Sequence, residues 1–213
     1  PYLADKRIRQ AMMYAIDRAS ILSNILGGHG EITNSPIFGP DWMGIPEGLN
    51  EYPYDPDAAK ALLAEMGWDA NQTIVALAVP PVDSWSEIIA QQLNDVGIKF
   101  ELLQTDIAEL IDKITGPDPD FDAFINGGDT YRADPNISAL FYDSSQVTPA
   151  GSNYANYANP ALDELYVQGK STNDLDERKR VYTEAAKILN EDVPNIFLWS
   201  PNSFFAVNDR VQG

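Results

Sequence analysis

The sequence predicts an α/β fold, a mixed sheet flanked by helices, on three observations. Residues 73–103 run from a β-branched apolar stretch through an amphipathic helical stretch to a second apolar stretch, which is the pattern of a βαβ unit. Helices announced by an Asp or Asn cap recur on both sides of that unit. No internal repeat, low-complexity tract or linker interrupts the chain, so residues 1–213 read as a single α/β lobe.

The elements follow in order. From Asp5 to Ile16 the apolar residues Ile8, Ala11, Met12, Ala15 and Ile16 recur at helical spacing, with Lys6, Arg7, Arg9 and Gln10 on the wet face. Asp17 caps a second helix from Arg18 to Leu26, which Gly27 and Gly28 stop. No period survives from His29 to Tyr54, so this stretch reads as a long ordered loop carrying Ile37, Phe38, Trp42 and Met43. Asp55 and Pro56 then open a helix that Gly67 closes.

Thr73 to Val79 reads as a strand, Ser84 to Val96 as a helix, and Ile98 to Leu103 as a strand parallel to the first. Asp106 caps a helix to Ile114, and Phe121 to Ile125 is a third strand. A short helix is expected from Asn136 to Phe141, followed by a polar loop. Asn159 caps a helix from Pro160 to Gln168, and Asp174 or Asp176 opens a long one through Asn190. Ile196 to Trp199 and Phe204 to Val207 read as short strands about a turn.

Composition excludes several classes. With 32 acidic residues against 14 basic the net charge is −18, which repels nucleic-acid phosphates and anionic membrane surfaces; neither is an expected partner. The chain has no cysteine, which removes disulfides, thiolate zinc sites and a cysteine nucleophile. No apolar run approaches the roughly 20 residues of a membrane span, and Pro1 opens no signal peptide, so direct membrane insertion of this segment is not expected. The first residues already read as the approach to a helix, as expected of a lobe excised from a longer protein.

Asp118, Asp120, Asp122 and Asp129 stand at calcium-loop positions, but Ala123 replaces the required glycine, and the strand reading of 121–125 turns alternate carboxylates apart. The single histidine, His29, lies in a Gly-flanked turn and supports neither a triad nor a metal cluster, so no metal or cofactor is expected. Asp129 and Asp134 could serve as the paired carboxylates of a hydrolase acting on glycosides, which is the alternative reading. The stronger candidate is the loop after the third strand, from Asn126 to Arg132. Ligands of open α/β sheets sit beyond the carboxyl ends of strands, and glycines there admit close backbone approach.

Four segments together resemble the family-5 extracellular solute-binding proteins. They are DKRIRQAMMYAIDRASIL from Asp5, YPYDPDAAKALLAEMGW from Tyr52, QQLNDVGIKFEL with FDAFINGGDTYRADPN, and YANPALDEL through ERKRVYTEAAKILNEDVPNIFLW. The resemblance spans nearly the whole chain. It implies the carboxyl-terminal lobe of a periplasmic-binding-protein type II fold, with the amino-terminal lobe missing in cis. It further implies a non-enzymatic binder that hands a peptide or oligosaccharide-like solute to an ABC-transporter permease. The implied location is extracytoplasmic, either periplasmic or as a cell-surface lipoprotein in the full-length parent.

In such a binder the solute is buried between two lobes, so one lobe alone is expected to bind weakly. The expected contacts are Asp129 for an amine or hydroxyl, Arg132 for an anion or hydroxyl, Tyr131 and Trp42 for stacking, and Asn126 and Asn153 for hydrogen bonds. Tyr154 and Tyr157 are further aromatic candidates. Peptide binders of the family carry a Trp-x-x-Asp pattern after the strand. Gly128 and Tyr131 occupy those positions here, with Asp129 as a substitute anion.

Overall fold

Asp5 begins the structure's first helix as the sequence predicts: its carboxylate accepts the backbone N–H of Arg7, and α1 (Lys6–Ala15) follows. The computed structural model describes residues 2–37, 40, 42–80, 83–116, 120–125 and 134–202. Asp17 caps α2 (Arg18–Asn24), which ends two residues earlier than expected, before Gly27 and Gly28 take the left-handed conformation with φ of 63° and 74°. A strand the periodicity did not show then follows. β1 (Gly30–Ile32) pairs antiparallel with β5 (Trp199–Pro201). Gly30 is required at this ribbon because a Cβ there would lie 2.7 Å from the Ser200 carbonyl oxygen. The first of the two expected short strands, Ile196–Trp199, is corrected in its bounds: the strand is Trp199–Pro201, and it pairs with β1. Phe204 to Val207 lie outside the described residues.

α3 (Pro56–Glu65) starts at Asp55, which accepts the Ala58 N–H, with proline in its first turn. The βαβ unit is present as β2 (Thr73–Ala78), α4 (Asp83–Asp95) and β3 (Lys99–Gln104). α5 (Ile107–Thr115) leads on to β4 (Ala123–Ile125), and the three parallel strands lie in the order β3-β2-β4. β4 starts two residues later than expected for a local reason. The Asp122 carboxylate, rather than a carbonyl, accepts the Val75 N–H at 2.9 Å, while its own N–H donates to the Val75 carbonyl at 2.8 Å. Asp120 is held by the Lys113 ammonium at 2.6 Å. Neither carboxylate is turned toward a calcium loop; Asp118 and Asp129 lie outside the described residues.

In the remaining chain a 3-10 turn at Pro135–Ser138 runs into α6 (Ala139–Tyr142), where one short helix was expected. α7 (Pro160–Ser171) and α8 (Leu175–Asp192) then pack on each other, capped by Asn159 and Asp174. Adjacent methionines of α1 face two different cores. Met12 joins the first, with Ile74, Ala76, Ile89, Leu93 and Phe100 between α1, α4 and the sheet. Met13 joins the second, with Met43, Tyr52, Leu162, Tyr166, Tyr182 and Leu189. At about 1.5–3 kcal/mol per fully buried large side chain, these two clusters are the main favourable term in the fold.

Two buried polar side chains order the aperiodic stretch between β1 and α3. Arg18 donates to the carbonyls of Thr33, Glu51, Tyr52 and Phe197. Asn190 donates to the carbonyls of Asn34 and Asn50 and accepts the Asn50 N–H at 2.7 Å. Backbone groups that no helix or sheet could pair are satisfied in this way.

Candidate functional site

Because the three strands are parallel and in register at their ends, Ala78, Gln104 and Ile125 lie level along one edge of the sheet. This is the edge where an open α/β sheet receives ligands. Beyond β2 and β3 it carries an open depression of about 610 Å³ lined by Val79, Pro80, Gln104, Thr105, Asp106, Ile107 and Glu109. The Thr105 hydroxyl donates to Glu109 at 2.7 Å, and Asp106 accepts the Glu109 N–H as the cap of α5. The same strand-end rule applied to β2 and β3 would have found this depression in the sequence, where only the end of the third strand was singled out.

Of the six candidate contacts, Asn126, Asp129, Tyr131 and Arg132 lie outside the described residues. The residues on either side of that segment are described, and each is held by a different part of the fold. On the β4 side, the Phe124 ring meets the Tyr154 ring edge to face, with centroids 6.0 Å apart. On the other side, Asp134 caps the 3-10 turn by accepting the Asn136 N–H. One guanidinium nitrogen of Arg178 donates to both Asp134 oxygens at 2.9 Å. The Arg178 guanidinium also sits 5.4 Å from the ring centroids of both Trp42 and Tyr182. Trp42, half-buried against the second core, is thereby brought beside Asp134.

Asn153 does not have the role expected of it. It is fully buried, and its amide donates to the carbonyls of Asp143 and Tyr157 while its oxygen accepts the Tyr157 N–H. Both amide protons and one lone pair of the oxygen are engaged in shaping the 143–157 loop, and full burial turns the rest of the side chain away from any surface. Tyr157 is likewise a strut: its hydroxyl donates to Asp192 at 2.6 Å, and burial followed by that carboxylate pushes the phenol well above its ordinary range. Tyr154 remains the aromatic of this loop with part of its face available.

Of the carboxylate pair considered for hydrolysis, Asp134 is both a turn cap and the ion-pair partner of Arg178, and Asp129 lies outside the described residues. Among the described residues no group of three or more His, Cys, Asp or Glu side chains is placed to hold a metal ion. Among them, too, no helix is long and apolar enough to cross a membrane.

Comparison with known proteins adds a family. Residues 1–148 match the family described as bacterial extracellular solute-binding proteins, family 5 Middle. The oligopeptide-binding protein AppA of Bacillus subtilis (strain 168) is 30% identical over 98% of this chain. The dipeptide-binding protein of Escherichia coli (strain K12) is 24% identical over 99% of it. The chain spans about 41% of the first of these relatives and 40% of the second. Among solved structures, Bacillus subtilis AppA in complex with a nonapeptide superposes with a TM-score of 0.82 at 28% identity, covering 92% of this chain and 42% of that one. NikZ from Campylobacter jejuni, in complex with Ni(L-His), gives a TM-score of 0.83 at 24% identity over 94% of this chain and 42% of its own, a likeness of fold.

Proposed function

We propose that this chain, which belongs to the bacterial extracellular solute-binding proteins of family 5, captures a small solute non-covalently as one lobe of a two-lobed binder. In this reading the carboxyl edge of the parallel sheet faces the other lobe, and solute stabilises the closed arrangement of the two. The observation that carries the reading is how the two described flanks of the segment 126–133, which follows β4, are held. Trp42 and Asp134 meet on Arg178 at one end of the segment 126–133, and Tyr154 meets Phe124 at the other.

The solute class we propose is peptide. Relatives named for oligopeptide and dipeptide binding support it, and an oligosaccharide finds no comparable support among them. The contacts proposed are Asp129 for the amine, Arg132 for the carboxylate, Tyr131 and Trp42 for stacking, and Asn126 for a hydrogen bond. Asn153 is left to shape its loop. The partners in this account are an amino-terminal lobe in cis and the permease of an ABC importer, at an extracytoplasmic location. The binder transforms nothing.

Calorimetric titration of the full-length protein with a defined mixture of di-, tri- and nonapeptides, and separately with oligosaccharides, tests this. Saturable binding of a peptide that is recovered intact is expected. Hydrolysis of the added compound, or no saturable heat with any peptide, counts against the proposal.

A further inference from the structure

Arg178, on α8, joins three other parts of the fold: the end of α7, the turn at Asp134 and the stretch that carries Trp42. Its Nε donates to the Gly169 carbonyl near the end of α7 at 3.2 Å, and one terminal nitrogen donates to both oxygens of Asp134. Its planar head stands 5.4 Å from the Trp42 ring and 5.4 Å from the Tyr182 ring. The Tyr182 hydroxyl in turn donates to the Asn136 side chain at 3.0 Å, which secures the same turn from a second direction.

The Asp134 side chain is 44% exposed, and an ion pair with so wet a partner contributes little to folding. What the guanidinium supplies is geometry. Trp42 lies on a stretch whose described residues form no helix or strand, and Asp134 is the first described residue after the segment 126–133. A flat cation with donors on two sides fixes the distance and angle between them. Lysine would keep the charge at this position but lacks both the plane that stacks and the Nε that reaches Gly169.

We infer that Arg178 is a positioning residue for solute capture. It sets where the Trp42 ring stands relative to Asp134, and so tunes affinity without touching the solute. The inference rests on the reading that the solute stacks on Trp42.

The test uses the full-length protein labelled with 5-fluorotryptophan, with the Trp42 resonance assigned by its loss in Trp42→Phe. Arg178→Lys is compared with Val181→Ala, a fully buried residue of the same helix outside the cluster. Arg178→Lys is expected to shift or broaden the Trp42 resonance and to weaken peptide binding by about tenfold or more, measured with the same di-, tri- and nonapeptide mixture. Val181→Ala is expected to lower the melting temperature with the resonance and the affinity as in the parent. An unchanged Trp42 resonance in Arg178→Lys overturns the inference. So does a displaced resonance with unchanged affinity, or an equal loss of affinity in Val181→Ala. If the parent binds none of the peptides, the capture reading fails, and the resonance alone decides: displacement in Arg178→Lys supports the positioning of Trp42, and constancy refutes it.

Discussion

Arg18 donates to the carbonyl of Phe197, 179 residues away, at 3.1 Å, closing the chain from α2 to the approach of β5 through a single buried guanidinium. Its other contacts are the carbonyls of Thr33, Glu51 and Tyr52 and the side-chain oxygen of Asn34. Burial pulls its pKa down to about 10, still far above neutral, so the cation persists. Arg18→Met would leave several buried carbonyls without donors, and a loss of about 3–5 kcal/mol in unfolding free energy is expected. Urea denaturation checks this; a loss below about 1 kcal/mol would contradict the pinning role.

Gly169 of α7 faces the ring of Tyr182 so closely that a Cβ would lie 2.5 Å from it. Alanine there must push α7 from α8 or displace a ring that also stacks on Arg178. Gly169→Ala gains helix propensity of about 1 kcal/mol but incurs overpacking of about 1–3 kcal/mol, so the net sign is destabilising. A melting temperature equal to or above the parent's would show that the helices give way freely.

Val193 ends α8 with φ of 44°, a left-handed conformation that a β-branched residue adopts only under strain, yet its side chain is fully buried. Glycine would relieve about 1–2 kcal/mol of strain and forfeit about 1.5–3 kcal/mol of burial. Val193→Gly is therefore expected to be mildly destabilising, by about 1 kcal/mol, in chemical denaturation. A stabilised variant would mean that strain outweighs packing at this cap.

Asp5 is held to a pKa of about 2, first by the side-chain hydrogen bond from Arg7 and then by the Arg7 N–H that it caps. The folded value lies below the ordinary carboxylate value of 3.8, so this contribution is complete above that value and is lost as pH falls toward 2. Asp5→Asn should flatten the stability profile across that acid window and leave its shape near neutrality unchanged. The melting temperature measured from pH 2 to pH 7 checks this; an unaltered acid limb would contradict it.

The helices were legible because their starts are chemical. Asp5, Asp17, Asp55, Asp106, Asn159 and Asp174 each accept an N–H in the first turn that follows. β1 was not, since a three-residue strand has no period to read and exists through a partner at the far end of the chain. Arg18 and Asn190 look like ordinary polar helix residues until tertiary packing buries them among unpaired carbonyls. Asn153 shows the limit most plainly at the site. A polar loop residue that binds a solute and one that binds its own loop have the same sequence signature, and only burial separates them.

The central claim, that solute meets this chain at the carboxyl edge of its parallel sheet, is tested most directly by amide chemical-shift mapping of the 213-residue chain titrated with the peptide mixture. Such mapping detects the weak binding expected of one lobe. The account predicts saturable shifts gathered at residues 42–43, 124–134 and 152–157. Shifts gathered instead at the opposite edge of the sheet, around Gln72 and Gly97, or no saturable shift at any peptide concentration, would contradict it.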